Sequence, residues 1–412
     1  MNLLIVYSGF TRRPTLLEGL LAFEKYSGHN TSYLNSRLPA KVQGINKSAA
    51  YDIIIFSTLF FSRRTNSDDL LADFRAVSWL KSIPAFKVAT PQDEYINSKY
   101  VNNFIDEFNV KLVFSVQPEN VWEQVYPQAK LRGFEVRGIL TGYIDDDLVD
   151  KFSRETKWIE RQRPIDIGYR TTGVPPVWYG RHAMLKAIVA EEFLSACKDR
   201  DIALDINCSA KGTISNESWY DFLGSCKYTI GAEGGTSILD YDGSIKSSTE
   251  IYLRENPAAP FSEVERNCFP NKDGQFPGYA LSPRHLEACL TCTAQILVKG
   301  DYSGVLKPWV HYIPLENDFS NIEEVIDLIT NEDLRVGLIN RCYADIVLSG
   351  NYKASALVRY ILDSSVLLHN YNSSNYVSSF LEKKLRVIFK PGGIIFSLID
   401  YIRLMKHSFR LL

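Results

Sequence analysis

Three neighbouring segments decide the fold, and the first is KYTIGAEGGTSILDYDG (residues 227–243), an apolar strand that ends in a glycine-rich turn. A long loop is expected next, after which Ser282 and Pro283 open a helix in SPRHLEACLTCTAQIL (282–297). The third segment, YSGVLKPWVHYIPL (302–315), lies just beyond. One half of the chain therefore brings acidic and basic side chains together near the start of a helix. These residues are Glu233, Asp240, Asp242, Arg284, His285 and Glu287.

Short apolar runs alternate with helical patterns along the rest of the chain. The run Leu3–Tyr7 predicts a buried strand, and the pattern Pro14–Tyr26 predicts a helix. Further strands are predicted at 53–56, 86–89 and 112–115, and a second alternation begins at Ile165–Arg170. We therefore predict an α/β protein with two facing Rossmann-like domains, at 1–160 and 161–345, followed by a helical return segment and a basic tail at 346–412.

The composition limits the partners and the compartment. The 412 residues suit two domains, and the net charge of −2 disfavours nucleic acid as a partner. Seven irregularly spaced cysteines, no signal sequence and no long apolar span predict a cytoplasmic body. The pair Cys289 and Cys292 lacks a second ligand pair for zinc, so we expect two buried helix cysteines and neither a metal nor a cofactor. No GxGxxG motif occurs, which disfavours a nicotinamide dehydrogenase.

The last segment, Leu381–Leu412, differs in character from the rest. It carries seven Lys and Arg residues against Glu382 and Asp400, with an apolar helical face. Such a helix can lie on an anionic membrane surface, which predicts peripheral association with the inner face of the cytoplasmic membrane. The alternative is a terminal helix that docks on the protein's own core.

Cations near predicted strand and helix ends are candidates for binding an anionic donor. A nucleotide sugar needs guanidinium, ammonium or helix N-terminal N–H groups around its phosphates. Arg170 follows a buried strand at its crevice end, and Arg284 lies in the first turn of a helix. Lys186 is the third candidate, with a solvated helix face as its alternative.

Two acids at the end of the third predicted strand are candidates for the acceptor side. Asp93 and Glu94 follow residues 86–89, and in an open parallel sheet the carboxyl ends of strands face the ligand crevice. The alternative is that both acids simply begin the next helix, where they would suit its dipole.

Six motifs together resemble bacterial GT-B glycosyltransferases of surface-polysaccharide gene clusters. They are PQDEY (91–95), DIGYR (166–170), YGRHAMLK (179–186), GAEGGTSILDYDG (231–243), SPRHLEA (282–288) and YSGVLKPWVHYIPL (302–315), and they cover roughly residues 85 to 330. The resemblance implies a transferase of the retaining type that moves a sugar from a nucleotide donor to a lipid-linked glycan during lipopolysaccharide or capsule assembly. It also implies that Glu287 holds donor hydroxyls and that Tyr302, Ser303 and His311 lie at the donor end. Tyr279 stands where that superfamily usually has a second glutamate.

A narrower resemblance is to the retaining β-Kdo transferases, which use CMP-Kdo. It implies Asp240 as nucleophile, Asp166 as acid/base and His285 nearby, while Glu233 is a candidate to orient the acceptor. Plain alternatives stay open, because acids in glycine turns often satisfy their own backbone and Asp166 can pair with Arg170.

Two other functions fit part of the pattern. One is a GT-B-fold sugar-nucleotide epimerase or hydrolase, and the other is a non-catalytic scaffold of a polysaccharide assembly complex. The basic tail argues against the first, and the joint presence of Glu233, Asp240, Arg284 and Glu287 argues against the second.

Overall fold

The N-terminal domain is built on a parallel six-stranded sheet with the order β2-β1-β3-β4-β5-β6. The structure is a computed structural model that describes residues 1–11, 14–46, 49–154, 161–214 and 217–373. Helices cover both faces of the sheet, so its inner strands are apolar without interruption, as in Leu3–Val6 and Ile53–Phe56. The strands are β1 (Asn2–Tyr7), β2 (Asn30–Asn35), β3 (Ile53–Phe56), β4 (Phe86–Ala89), β5 (Leu112–Ser115) and β6 (Glu135–Gly138).

Aromatic side chains dominate one face of this sheet. Phe56 on β3 packs against Phe104 and Phe108, whose own rings are stacked with centroids 4.0 Å apart. Each buried side chain of this kind contributes about 1.5–3 kcal/mol, which fixes the adjoining helices on the sheet. The helices of this half are α1 (Pro14–Tyr26), α2 (Ser67–Ala76), α3 (Ser98–Glu107), α4 (Trp122–Val125), α5 (Ala129–Arg132) and α6 (Asp146–Arg154).

The C-terminal domain contains a second parallel sheet, of five strands in the order β13-β12-β9-β7-β8. The strand predicted at Ile165–Arg170 is present as β7, near the centre of this sheet. Its other strands are β8 (Leu204–Asn207), β9 (Cys226–Gly231), β12 (Ala294–Val298) and β13 (Ile313–Leu315), and its helices include α7 (Arg181–Ala196) and α8 (Glu217–Gly224).

The long loop expected after the glycine-rich turn is instead an ordered insertion, and that expectation is wrong. The strands β10 (Gly234–Thr236) and β11 (Gly278–Ala280) form an antiparallel pair that encloses α9 (Ser244–Glu255) and α10 (Phe261–Cys268). The pairing requires glycine at position 235, because a Cβ there would lie 1.9 Å from the carbonyl oxygen of Gly278. The chain then continues into α11 (Pro283–Leu290), the helix predicted to start at Ser282 and Pro283.

The insertion joins the two domains. The Asp240 N–H donates to the Tyr95 carbonyl at 2.7 Å, and the Asn97 N–H donates to the Asp240 carbonyl at 2.8 Å. Trp178 and Phe276 belong to the C-terminal half, yet both are buried in the N-terminal aromatic core. Backbone hydrogen bonds and apolar packing therefore hold the two domains, which form the walls of the cleft between them, in one arrangement.

The last described helix returns to the N-terminal domain. After α12 (Ile322–Leu328), α13 (Glu332–Cys342) and a π-helical turn, α14 (Ala354–Ser373) packs on α1 and β4 and buries Val358 and Ile361. Two parallel α/β domains with a returning C-terminal helix form the GT-B arrangement, which confirms the predicted fold class. The predicted amphipathic segment, Leu381–Leu412, lies outside the described residues.

Candidate functional site

A cavity of about 650 Å³ lies at the carboxyl ends of β9 and β12, beside the start of α7. Pro118 and Asn120 of the N-terminal domain also line it, so it spans both halves of the molecule. Ligands of open α/β sheets bind at this end of the strands. Its charged and aromatic lining comprises Arg181, His182, Glu233, Asp273, Tyr279, Lys299 and Asp301. We call this space the Glu233 cavity.

Glu233 is the sequence-predicted acid that lies in this cavity. Its side chain is 5% exposed, and its Oε1 accepts a 2.7 Å bond from the Tyr302 N–H. The carboxylate fits only because residue 300 is glycine, since a Cβ there would lie 2.2 Å from Oε2. Burial raises the pKa of Glu233 to about 7, although the Tyr302 N–H bond favours the charged form. Near neutral pH this group can therefore give or accept a proton.

Lys186 and Arg284 form a pair of neighbouring cations, with Lys186 next to Gly234. A Cβ on Gly234 would lie 3.4 Å from the Lys186 Nζ, which places the ammonium directly against the turn after β9. Burial lowers the pKa of Lys186 to about 8, and the charge of Arg284 acts in the same direction. Within the described parts of the chain neither cation forms a salt bridge. Two neighbouring positive charges that form no salt bridge with a described residue suit an anionic ligand.

Arg170 positions Arg284 instead of offering a free charge. Its guanidinium makes two 2.8 Å bonds to the carboxylate of Asp205, on the neighbouring strand β8. Its backbone carbonyl accepts a 2.7 Å bond from the Arg284 Nη1, and the Arg284 guanidinium lies 5.6 Å from the centre of the Tyr169 ring. The charge of Arg170 is already neutralised, so its contacts do not favour the predicted direct contact with the donor. They favour a role in positioning Arg284.

Asp93 faces the cation pair from the N-terminal domain. Its charge raises the pKa of Lys186, which opposes the effect of burial, and its carboxylate pairs with Arg64. The residue has φ of 54°, a left-handed conformation that is uncommon for a side chain other than glycine. Such backbone strain is often found at ligand sites, which agrees with the predicted place of Asp93 on the acceptor side.

Glu94 points into the N-terminal domain, away from the cleft. It is 1% exposed, its Oε1 accepts a 2.5 Å bond from the Tyr126 hydroxyl, and its Oε2 accepts from the Val116 N–H. Burial raises the pKa of Glu94 to about 7. These contacts make Glu94 a structural residue, and they do not support the predicted contact with an acceptor.

Asp240 caps a helix. Its carboxylate accepts bonds from the Ile245 N–H at 3.1 Å and the Lys246 N–H at 2.8 Å, in the first turn of α9. Asp242 accepts from the Ser244 N–H at the same helix start. Asp240 is 2% exposed and is not among the described residues that line the Glu233 cavity. The geometry therefore favours the backbone-satisfying alternative over the predicted nucleophile.

His285 lies in the interior behind the turn after β9. It is 1% exposed, with Nδ1 2.8 Å from the Gln295 Oε1 and Nε2 3.4 Å from the Ala232 carbonyl. Burial lowers the pKa of His285 to about 3, so the ring is neutral at physiological pH. Its contacts are those of a core histidine that supports the turn, and they do not place it against a reacting atom.

Asp166 is at the wrong end of its strand for the predicted acid/base role. It is the second residue of β7, about 13 Å from the carboxyl end at the usual rise per residue. Its carboxylate accepts bonds from the Lys227 Nζ at 2.7 Å and the Ala203 N–H at 2.8 Å, so it does not pair with Arg170.

The remaining predicted donor residues mostly stabilise loops. Glu287 accepts a 2.7 Å bond from the Trp219 indole N–H, and burial raises the pKa of its carboxyl. Ser303 accepts from the Leu281 N–H, and the Tyr302 hydroxyl donates to the Val298 carbonyl. His311 lies between the Lys307 N–H and the Asp345 carboxylate. Through its N–H, Tyr302 also orients Glu233, which is its closest link to the cavity.

Sequence reasoning missed His182, Tyr279 and Asp301 as cavity residues. The His182 and Tyr279 rings are stacked, with centroids 3.6 Å apart and planes 15° from parallel. His182 stands one helical turn before Lys186, within the motif YGRHAMLK, and that spacing was the available signal. Asp301 lies shortly after β12, at the strand end that faces the crevice.

The described residues contain no group of three or more His, Cys, Asp or Glu side chains that could hold a metal ion. Cys289 and Cys292 are both buried and free, although only Cys289 lies within α11 and Cys292 follows its end. In the same part of the chain, no helix combines the length and apolarity needed to cross a membrane.

No protein-family model matches the chain, and no curated protein matches it. Similar solved structures include HepE of Anabaena in complex with UDP-glucose, which is 10% identical with a TM-score of 0.47 over 88% of this chain and 100% of that chain. A glycosyltransferase from Rickettsia africae is 11% identical, with a TM-score of 0.45 over 88% and 97% of the two chains. A mutant of TarM from S. aureus, in complex with fondaparinux, α-GlcNAc-glycerol and UDP, is 8% identical, with a TM-score of 0.42 over 76% and 55%. At such low identities, the function of this chain has to be argued from its own residues.

Proposed function

We propose that the protein is a glycosyltransferase that binds a nucleotide-activated sugar at the carboxyl ends of β7, β9 and β12. The observation that carries the proposal is the cation pair, Lys186 and Arg284, which has no salt-bridge partner among the described residues. Partly enclosed cations that form no salt bridge are costly unless a ligand supplies the negative charge, and the nearest acid to Lys186, Asp93, is already paired with Arg64. The phosphates of a nucleotide sugar match that requirement, and such a pair can also stabilise the leaving nucleotide.

The acceptor is proposed to approach from the N-terminal domain. A smaller cavity of about 90 Å³ lies at the carboxyl ends of β3, β4 and β5, between α1 and α14. Its walls are mainly apolar and include Leu20, Phe23, Leu357 and Ile361. This lining supports an acceptor with an apolar part, in agreement with a lipid-linked glycan in bacterial surface-polysaccharide synthesis.

We also propose peripheral membrane association, which is based only on the sequence pattern of residues 381–412. If a protein truncated after residue 380 still sediments with membranes, the proposal of membrane association through this segment is wrong. The retaining double displacement is not included, since Asp240 caps α9 and Asp166 pairs with Lys227.

Nucleotide binding to charge-deleted variants tests the proposal. Thermal-shift screening with CMP, UDP, GDP and dTDP first identifies the nucleotide, and calorimetry then compares Lys186→Met and Arg284→Met with the parent protein. Each charge-assisted contact contributes about 1.5–3 kcal/mol, so the Kd should rise roughly 10- to 100-fold. Lys198→Met, an exposed lysine just beyond the end of α7, is the matched control and should bind normally.

Other outcomes point to other functions. Absence of binding by all four nucleotides and their sugar derivatives would contradict the proposal and favour a scaffold. Rapid release of free sugar from the bound nucleotide sugar, with no transfer to any acceptor lipid extract, would favour a hydrolase. Equal Kd values for the parent and both Met variants would show that the nucleotide binds elsewhere.

A further inference from the structure

The charged groups that line the Glu233 cavity do not balance. Arg181 is neutralised by Glu265, at 2.6 Å, and by Asp273, at 2.7 Å. Lys299 is neutralised by Glu316. The two remaining acids, Glu233 and Asp301, have no cationic partner in the described part of the chain. The uncompensated charge facing this cavity is therefore negative.

The other polar groups of the cavity are neutral. The Nε2 of His182 is buried and has no hydrogen-bond partner among the described residues. Burial lowers the pKa of His182 to about 4, so this ring carries no charge at neutral pH. Ser237 and Asn120 also line the cavity. Neutral imidazole, hydroxyl and amide groups are single hydrogen-bond partners of the kind that sugar hydroxyls need.

The turn after β9 connects this cavity to the cation pair. Ala232 and Glu233 line the cavity, and the next residue, Gly234, lies against the Lys186 ammonium. A phosphate bound by Lys186 would therefore lie next to the turn. The group attached to that phosphate could then enter the cavity beside Glu233. In a nucleotide sugar that group is the sugar.

We propose that the Glu233 cavity binds the donor sugar and selects a neutral or amino sugar over an acidic one. The inference rests on the proposed function and deepens it by naming the class of donor. The carboxylate of an acidic sugar would approach Glu233 and Asp301 with no unpaired cation among the described residues that line the cavity, whereas hydroxyl or ammonium groups find acceptors there. CMP-Kdo, whose sugar carries a carboxylate, is disfavoured as donor on this argument.

Matched donor pairs that differ only in one carboxylate test the selection. UDP-glucose is compared with UDP-glucuronate, and GDP-mannose with GDP-mannuronate, by calorimetry at pH 7.5, with CMP-Kdo as a further ligand. Repulsion by the unpaired acids should make the neutral member bind roughly five- to tenfold more tightly than the acidic one. Asp301→Asn should narrow that ratio about twofold or more, and Glu233→Gln should narrow it further.

Glu324→Gln, an exposed acid on α12 that does not line the cavity, is the matched control and should leave the ratio unchanged. Tighter binding of an acidic donor, or a ratio that Asp301→Asn does not change, would overturn the selection while leaving nucleotide binding in place. Failure of every nucleotide and nucleotide sugar to bind would instead end the proposed function, and this inference with it.

Discussion

The two walls of the cleft differ in how their charged groups are satisfied. On the N-terminal wall, Asp93 pairs with Arg64, and Glu94 accepts bonds from Tyr126 and a backbone N–H. On the C-terminal wall, the cation pair forms no salt bridge with any described residue, and the bonds that Glu233 accepts from the described residues come from backbone N–H groups. Because an unpaired buried charge is costly, this difference supports the proposal that the charged donor binds on the C-terminal wall and the less charged acceptor on the N-terminal wall.

The largest expected effect comes from exchanging one buried glutamate on each wall. Glu233→Gln should lower kcat/KM for sugar transfer roughly 100-fold, because the variant cannot exchange a proton or carry charge in the cavity. Glu94→Gln keeps the shape of an equally buried side chain and should stay within about threefold of the parent. A transferase assay with the nucleotide sugar that binds best measures both. Similar losses in the two variants would show that the walls do not differ in this way.

The backbone of Asp240 bonds to the N-terminal wall, whereas its side chain caps α9, so replacing the side chain has a smaller, structural effect. Asp240→Ala removes the acceptor of two N–H bonds at the start of α9 and should cost about 2 kcal/mol of unfolding free energy, measured from urea denaturation. Asp242→Ala removes one bond at an exposed position and should cost about 0.5 kcal/mol. The kcat of the folded Asp240→Ala protein should remain near that of the parent. A variant of parental stability that has lost transfer would restore Asp240 as the nucleophile.

Apolar periodicity predicts the inner strands because both faces of those strands are buried. Apolar periodicity does not predict the edge strands β2 (Asn30–Asn35) and β6 (Glu135–Gly138), because they are polar. It does not predict the insertion after β10 for a related reason. Its helix Ser244–Glu255 buries little apolar surface, and the pairing of Gly234–Thr236 with Gly278–Ala280, which closes the insertion, leaves no apolar pattern in the sequence.

Only part of the candidate site was predicted from the sequence, and the partners of the predicted residues were not. The sequence indicated Glu233 and Arg284, but it did not show that Arg170 binds Asp205 or that Asp166 binds Lys227. Those pairs depend on strand register, which places Gly168 opposite Asp205 and Ile165 opposite Cys226. Register is set by tertiary packing, so local patterns could not separate the neutralised cations from the free ones.

The smallest expected effect is the pH dependence of nucleotide binding. It tests directly whether a cation of the C-terminal wall binds the phosphates. The free protein holds Lys186 at a pKa of about 8, lowered by burial and by the charge of Arg284. A bound phosphate favours the protonated lysine, so binding takes up a proton once the pH exceeds about 8, and the affinity should fall by up to about tenfold per unit above that value. Between pH 6.5 and 7.5 Lys186 stays largely protonated and should contribute little change in affinity. Lys186→Arg keeps its charge throughout and should flatten the profile, which calorimetry with a nucleotide sugar at pH 7, 8 and 9 can measure. A parent profile that is already flat over this range would show that the Lys186 ammonium does not bind the phosphates, and would leave Arg284 as the cation of the C-terminal wall.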